Sequence, residues 1–84
     1  MAGHAMIRVL YFAQVAEHMG CREESQPLDA PIPATQWLAA LEARCPALAP
    51  ITRLKLAINQ EHTPHAAMIQ PGDEVAVFEP VTGG

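Results

Sequence analysis

The sequence predicts a small α+β domain, with one main helix packed across a mixed four- to five-stranded sheet and one or more short helices beside it. Three observations lead there. The first and last apolar segments, MIRVLYF at 6–12 and VAVF at 75–78, are rich in β-branched and aromatic residues. Between them only ATQWLAALEAR at 34–44 carries a long helical spacing. And 84 residues are enough for one core and no more, since a chain this size buries only about two-thirds of its unfolded surface.

Taken in order, residues 6–12 alternate Ile7, Val9 and Tyr11 on one face with Met6, Leu10 and Phe12 on the other. Only Arg8 is polar, so this strand is expected at the centre of the sheet and covered on both sides. Residues 13–19 (AQVAEHM) suit a short helix closed by Gly20, which tolerates the left-handed conformation of a C-terminal cap. Residues 22–28 form a weak strand, confined to an edge by Pro27, which cannot donate to a ladder. Residues 29–33 read as an extended connector.

The main helix at 34–44 aligns Ala34, Trp37, Leu38, Leu41 and then Cys45 in one stripe, with Trp37 as its anchor. Pro33 suits its first turn and Pro46 ends it. Residues 54–59 alternate as a half-buried strand, and 60–65 read as a polar turn, followed by a short strand near 66–69. Gln70-Pro71-Gly72-Asp73 has Pro and Gly where a type II turn requires them. The last strand, at 75–78, leads into a tail, EPVTGG, at 79–84. One helix across a mixed sheet, with strongly apolar first and last strands, is the β-grasp arrangement, although periodicity alone gives no more than a small α+β domain. Residues 6–84 thus make a single domain with a C-terminal tail, and the first five residues (MAGHA) read as a tag remnant or a short extension.

Nine acidic against five basic residues give a net charge of −4, and the cations are scattered. No basic stripe is available to neutralise phosphates, which argues against nucleic acid as a partner. No apolar run reaches membrane-spanning length and no signal peptide is evident, so the expected location is the cytoplasm. Cys21 and Cys45 stand in no metal spacing and fit reduced thiols. His62 and His65 make a His-x-x-His pair, but Pro64 between them breaks the helical turn that would align two metal ligands, and no metal site is expected. The pairs Glu23-Glu24 and Asp73-Glu74 point to opposite faces of their strands and read as solvated surface. There is no phosphate-binding loop, so ATP would have to be bound by another protein.

Chemistry points instead to the tail. Pro80 stops the sheet, while Gly83 and Gly84 have no side chain and can thread a narrow channel with the terminal carboxylate unhindered. A carboxylate is a poor electrophile until it is adenylated, after which a sulfur nucleophile can attack it. A carrier of that kind needs no catalytic side chain of its own. A terminal Gly-Gly alone is no more than a frayed end; following VAVFEPV in this fold order it carries meaning.

The segments VLYFAQVAEHMG, AINQ and GDEVAVFEPVTGG closely resemble the small subunits of molybdopterin synthase, the MoaD-type sulfur carriers, in the same order from Met6 to the C-terminus, with a variable middle. The resemblance implies a ubiquitin-like β-grasp fold. It implies that Gly84 is adenylated by an E1-like enzyme using ATP, is converted to a thiocarboxylate with sulfur from a donor protein, and gives that sulfur to cyclic pyranopterin monophosphate to build the molybdopterin dithiolene. The chain would bind no cofactor and would not be an enzyme on its own. Residues Pro80, Val81, Thr82 and Gly83 would enter the large catalytic subunit, in a two-plus-two heterotetramer. Docking would use an apolar patch that maps to Phe12, Phe78 and His62, the last standing where relatives often have an apolar residue; Glu79 stands where many have proline. The fold and ending also suit a sulfur carrier of thiamin synthesis or tRNA thiolation and a ubiquitin-like modifier. A different class of reading is a β-grasp interaction module with an unreactive tail, which would keep its role without Gly84.

Overall fold

A computed structural model describes residues 5–80. The elements are β1 (Met6–Tyr11), α1 (Ala13–Met19), β2 (Glu23–Pro27), β3 (Ile32–Pro33), α2 (Ala34–Arg44), two 3-10 turns at Pro46–Leu48 and Ile51–Arg53, β4 (Lys55–Ile58), β5 (Glu61–Thr63), β6 (Met68–Ile69) and β7 (Glu74–Phe78). Five strands form one sheet in the order β2-β1-β7-β4-β5, with β1 and β7 parallel at its centre and the other pairs antiparallel. The first and last strands lie side by side beneath one crossing helix, the expected β-grasp arrangement. Among the described residues no helix is long and apolar enough to cross a membrane.

The core lies between α2 and one face of the sheet. Trp37, Leu38 and Leu41 pack against Ile7, Val9, Leu56, Val75 and Val77, all at most 5% exposed. Each such side chain contributes about 1.5–3 kcal/mol by leaving water. Leu48 and Leu54, carried by the two 3-10 turns, close one end. The N-cap of α2, Pro33, has no side chain to offer the first turn. Loop carbonyls serve instead: the Ala34 N–H donates to Ala67 (2.8 Å) and the Thr35 N–H to His65 (2.9 Å). A ring nitrogen of His65 lies 2.6 Å from the Leu54 carbonyl, so His65 joins two loops to the helix start and is not the solvated loop residue its sequence setting suggests.

Four other expectations change. β1 is central but covered on one face only: Met6 is 40% and Phe12 49% exposed, because among the described residues nothing packs on the outer face of the sheet. Residues 60–65 are not all turn. Asn59 and Gln60 both have positive φ (52° and 72°), the signature of a type I′ hairpin, and the chain returns as β5. The connector at 29–33 ends in β3, which pairs with β6 in a separate two-stranded ladder. Glu24 is not solvated surface either. It lies on the inner face of β2, where it accepts hydrogen bonds from the Tyr11 hydroxyl, from the Gln26 amide (3.1 Å) and from both terminal nitrogens of Arg44 (2.8 and 2.9 Å). Trp37 donates its indole N–H to Gln26 at 2.9 Å and completes the cluster. The hydrogen bonds from Arg44 first, then those from Tyr11 and Gln26, hold the Glu24 carboxyl at about 2 against the opposing effect of burial. Burial, and then donation to Glu24, pushes the Tyr11 hydroxyl above the usual phenol range.

Candidate functional site

The outer face of the sheet divides into two halves. Toward the start of β7, Arg8 lies 3.1 Å from Glu23 and 3.6 Å from Glu74, one cation bridging two carboxylates across three strands. Toward the end of β7 the face is mostly apolar, with the exposed Lys55 opposite Phe78 at its rim. Leu10, Ala76 and Ala57 stand in one row across β1, β7 and β4, by the registers Leu10↔Ala76 and Ala57↔Ala76. His62 continues the row on β5 through Ala57↔His62. Phe78 follows Ala76 on the same face at the end of β7, and Phe12, one step beyond β1, projects outward with an extended backbone.

The three predicted patch residues are therefore brought onto one face. The His62 and Phe78 rings meet edge to face, with centroids 5.5 Å apart and planes at 86°. The small Ala57 between their strands leaves room for this contact and is only 9% exposed. Sequence reasoning missed Leu10, Ala57 and Ala76. Stepping by two from Phe12 and Phe78 would have found the first and last of them. A groove of about 740 Å³ between the end of β1, α1 and the start of β2 shares Leu10 and Phe12 with the patch and extends it toward Cys21 and Arg22.

The same end of the sheet releases the tail. The β4–β7 ladder stops at Lys55↔Phe78. The Glu79 carboxylate accepts a hydrogen bond from Arg53 at 2.9 Å, and Pro80 is exposed beyond it. Val81, Thr82, Gly83 and Gly84, the rest of the predicted site, lie outside the described residues.

Among the described residues no three His, Cys, Asp or Glu side chains come together as a metal site. His62 faces Phe78 while His65 binds the Leu54 carbonyl, so the two histidines have separate tasks. Cys21 and Cys45 are free thiols, and Cys45 donates to the His18 carbonyl at 3.4 Å. What the face offers is binding area: apolar side chains and aromatic edges for a partner to cover, beside the strand that leads into the tail.

The sequence model of the ThiS family matches residues 9–84. The molybdopterin synthase sulfur carrier subunit of Homo sapiens is 38% identical over 82 residues, covering 93% of this chain and 93% of that protein. The molybdopterin synthase sulfur carrier subunit of Escherichia coli is 38% identical over 81 residues, covering 94% of this chain and all of the other. Among solved structures, the small archaeal modifier protein 1 of Haloferax volcanii superposes with a TM-score of 0.75 at 27% identity, covering 92% of this chain and 99% of that one.

Proposed function

Because the chain belongs to the ThiS family, we propose that it is the sulfur-carrier subunit of a molybdopterin synthase and works through the carboxylate of Gly84. The observation that carries this reading is the match at 38% identity over nearly the whole length of two carrier subunits, together with a family match that runs through the terminal glycines. In the proposed cycle the Gly84 carboxylate attacks the α-phosphorus of ATP on an E1-like enzyme, and pyrophosphate leaves. A sulfur nucleophile supplied by a donor protein displaces AMP, and the product is a thiocarboxylate. In the large subunit its sulfur forms a C–S bond to a side-chain carbon of cyclic pyranopterin monophosphate as a C–O bond at that carbon breaks and the oxygen leaves. Water then hydrolyses the acyl–sulfur link, leaving the sulfur on the pterin and regenerating the carboxylate. Two such transfers make one dithiolene.

This chain's own residues bind and position. Leu10, Phe12, Ala76 and Phe78 give the large subunit an apolar surface to cover, with His62 at its edge, and Pro80 starts the segment that enters it. In the charged half of the face Arg8 pairs with both Glu23 and Glu74, which leaves a net negative charge there; burying it would carry a desolvation cost, so the apolar half is the better surface to cover. ATP and the pterin bind to partners, and the chain is a cosubstrate rather than a catalyst. Two carriers on a central pair of large subunits is the assembly we assign, in the cytoplasm, where ATP and reduced sulfur are at hand.

The test is direct. The chain prepared with a C-terminal thiocarboxylate is mixed with its large subunit and cyclic pyranopterin monophosphate. Dithiolene should form with two carriers consumed per pterin, and the carboxylate form should give none. A thiocarboxylate that is stable in this mixture contradicts the assignment. Likeness to an archaeal modifier favours a second reading, in which Gly84 is conjugated to lysines; conjugates in place of dithiolene would establish it.

A further inference from the structure

We propose that Arg53 and Glu79 form a pin that fixes where and in what direction the tail leaves the domain, which makes both of them positioning residues for sulfur transfer. This rests on the carrier reading above. The last backbone pair between β4 and β7 is Lys55↔Phe78. One step further along the same antiparallel register, Leu54 stands opposite Glu79, and Pro80 then has no N–H with which to continue a ladder. At that step a side-chain contact takes over: Arg53 Nη2 donates to Glu79 Oε2 at 2.9 Å. Arg53 is held from a firm base. Its 3-10 turn is closed by the Leu54 N–H donating to the Ile51 carbonyl (3.0 Å), and Leu54 itself is wholly buried. The Glu79 side chain is only 22% exposed, against 52% for Arg53, so the acidic end is laid against the protein surface.

The other ion pairs of the sheet face have a different setting. Arg8 bridges Glu23 and Glu74 on strands that are already joined by backbone ladders. The Arg53–Glu79 contact acts one step past the last pair of the β4–β7 ladder, at the first residue of the tail. Leverage gives it weight. Residues 80–84 can reach about 17 Å when extended, so a small swing at Glu79 sweeps the reacting carbon through several ångströms. Reacting groups must meet within fractions of an ångström, and the local concentration of a tethered group falls as its tether loosens. A looser base should therefore weaken productive insertion while leaving the chemistry of the inserted end as it was.

The experiment uses the full chain with its large subunit, comparing Arg53→Glu, Glu79→Arg and the exchanged pair carrying both. Two quantities are read: the NMR order parameter of the Glu79 amide in the free chain, and KM and kcat for thiocarboxylated carrier in dithiolene formation. Each single variant should lower the order parameter and raise KM about three- to tenfold with kcat within about twofold, as suits one ion pair. The exchanged pair should restore both. Failure of the exchange to restore KM would overturn the pin, because Glu79 or Arg53 would then be acting on the partner directly; so would single variants that match the parent. If the parent itself transfers no sulfur, the carrier reading fails separately. The order parameter then decides the pin alone, and an unchanged value in both single variants overturns it.

Discussion

Glu24 gathers three donors, Tyr11, Gln26 and Arg44, around one carboxylate, and its carboxyl is held at about 2, well below the ordinary value. A carboxyl lowered in the folded state stabilises the fold at pH values above its unfolded value and loses that contribution as pH falls through the folded one. Glu24→Gln should therefore cost about 1–2 kcal/mol at pH 7, a modest figure because Arg44 is half exposed. The difference from the parent should shrink between about pH 4.5 and 2, and urea denaturation at a series of pH values measures it. Trp37→Ala should cost about 3–5 kcal/mol, since it empties the centre of the helix–sheet contact and leaves Gln26 without its donor. A melting curve near that of the parent would contradict the packing. Trp37 was legible in the sequence because the spacing of its helix places it on the apolar stripe. Glu24 was not: alternation along β2 sets it opposite Glu23, but nothing local tells which of the two faces inward or that Arg44, on α2, arrives to meet it.

Elements were legible to different degrees for similar reasons. β1, α2 and β7 declare themselves through hydrophobic period, and the type II turn through Pro71 and Gly72, the latter at φ 91°. β5 is hidden because its turn uses Asn59-Gln60, where a type I′ hairpin ordinarily carries Asn-Gly. Gln60 holds a left-handed conformation that favours glycine, so Gln60→Gly should stabilise the domain by about 0.5–1 kcal/mol in chemical denaturation, less than the full left-handed cost because glycine gains freedom when unfolded. The outer face of the sheet departs from its pattern for another reason. Apolar residues on both sides of a strand ordinarily mean burial on both sides, and here the outer ones, Met6 and Phe12, are exposed; in the proposed function a partner covers Phe12. Phe78→Asp should lower affinity for the large subunit at least about tenfold, measured by calorimetry, while the variant stays folded, because it puts a charge in place of the ring that meets His62 beside the start of the tail. Unchanged affinity would move the docking surface elsewhere.

The whole molecule is a rigid platform that presents one face and one end. Its helix and small core keep five strands in register; the register aligns Leu10, Ala57, Ala76 and His62 in one row and brings Phe78 to the rim where the chain departs. In the proposed cycle the reacting group is the Gly84 carboxylate, so the ending of the sequence says more about function than any side-chain cluster. Deleting Gly84 should leave the melting temperature within about 1 °C of the parent, since a chain terminus contributes little packing, and should abolish sulfur transfer. Carrier chemistry is tested most directly by the intact mass of the chain after incubation with the E1-like enzyme, ATP and a sulfur donor. A sulfur carrier gains the mass of one oxygen exchanged for sulfur, and the gain is absent when Gly84 is deleted. A mass that stays unchanged while a known carrier reacts in parallel would contradict that chemistry, and the domain would then be an interaction module with an unreactive tail.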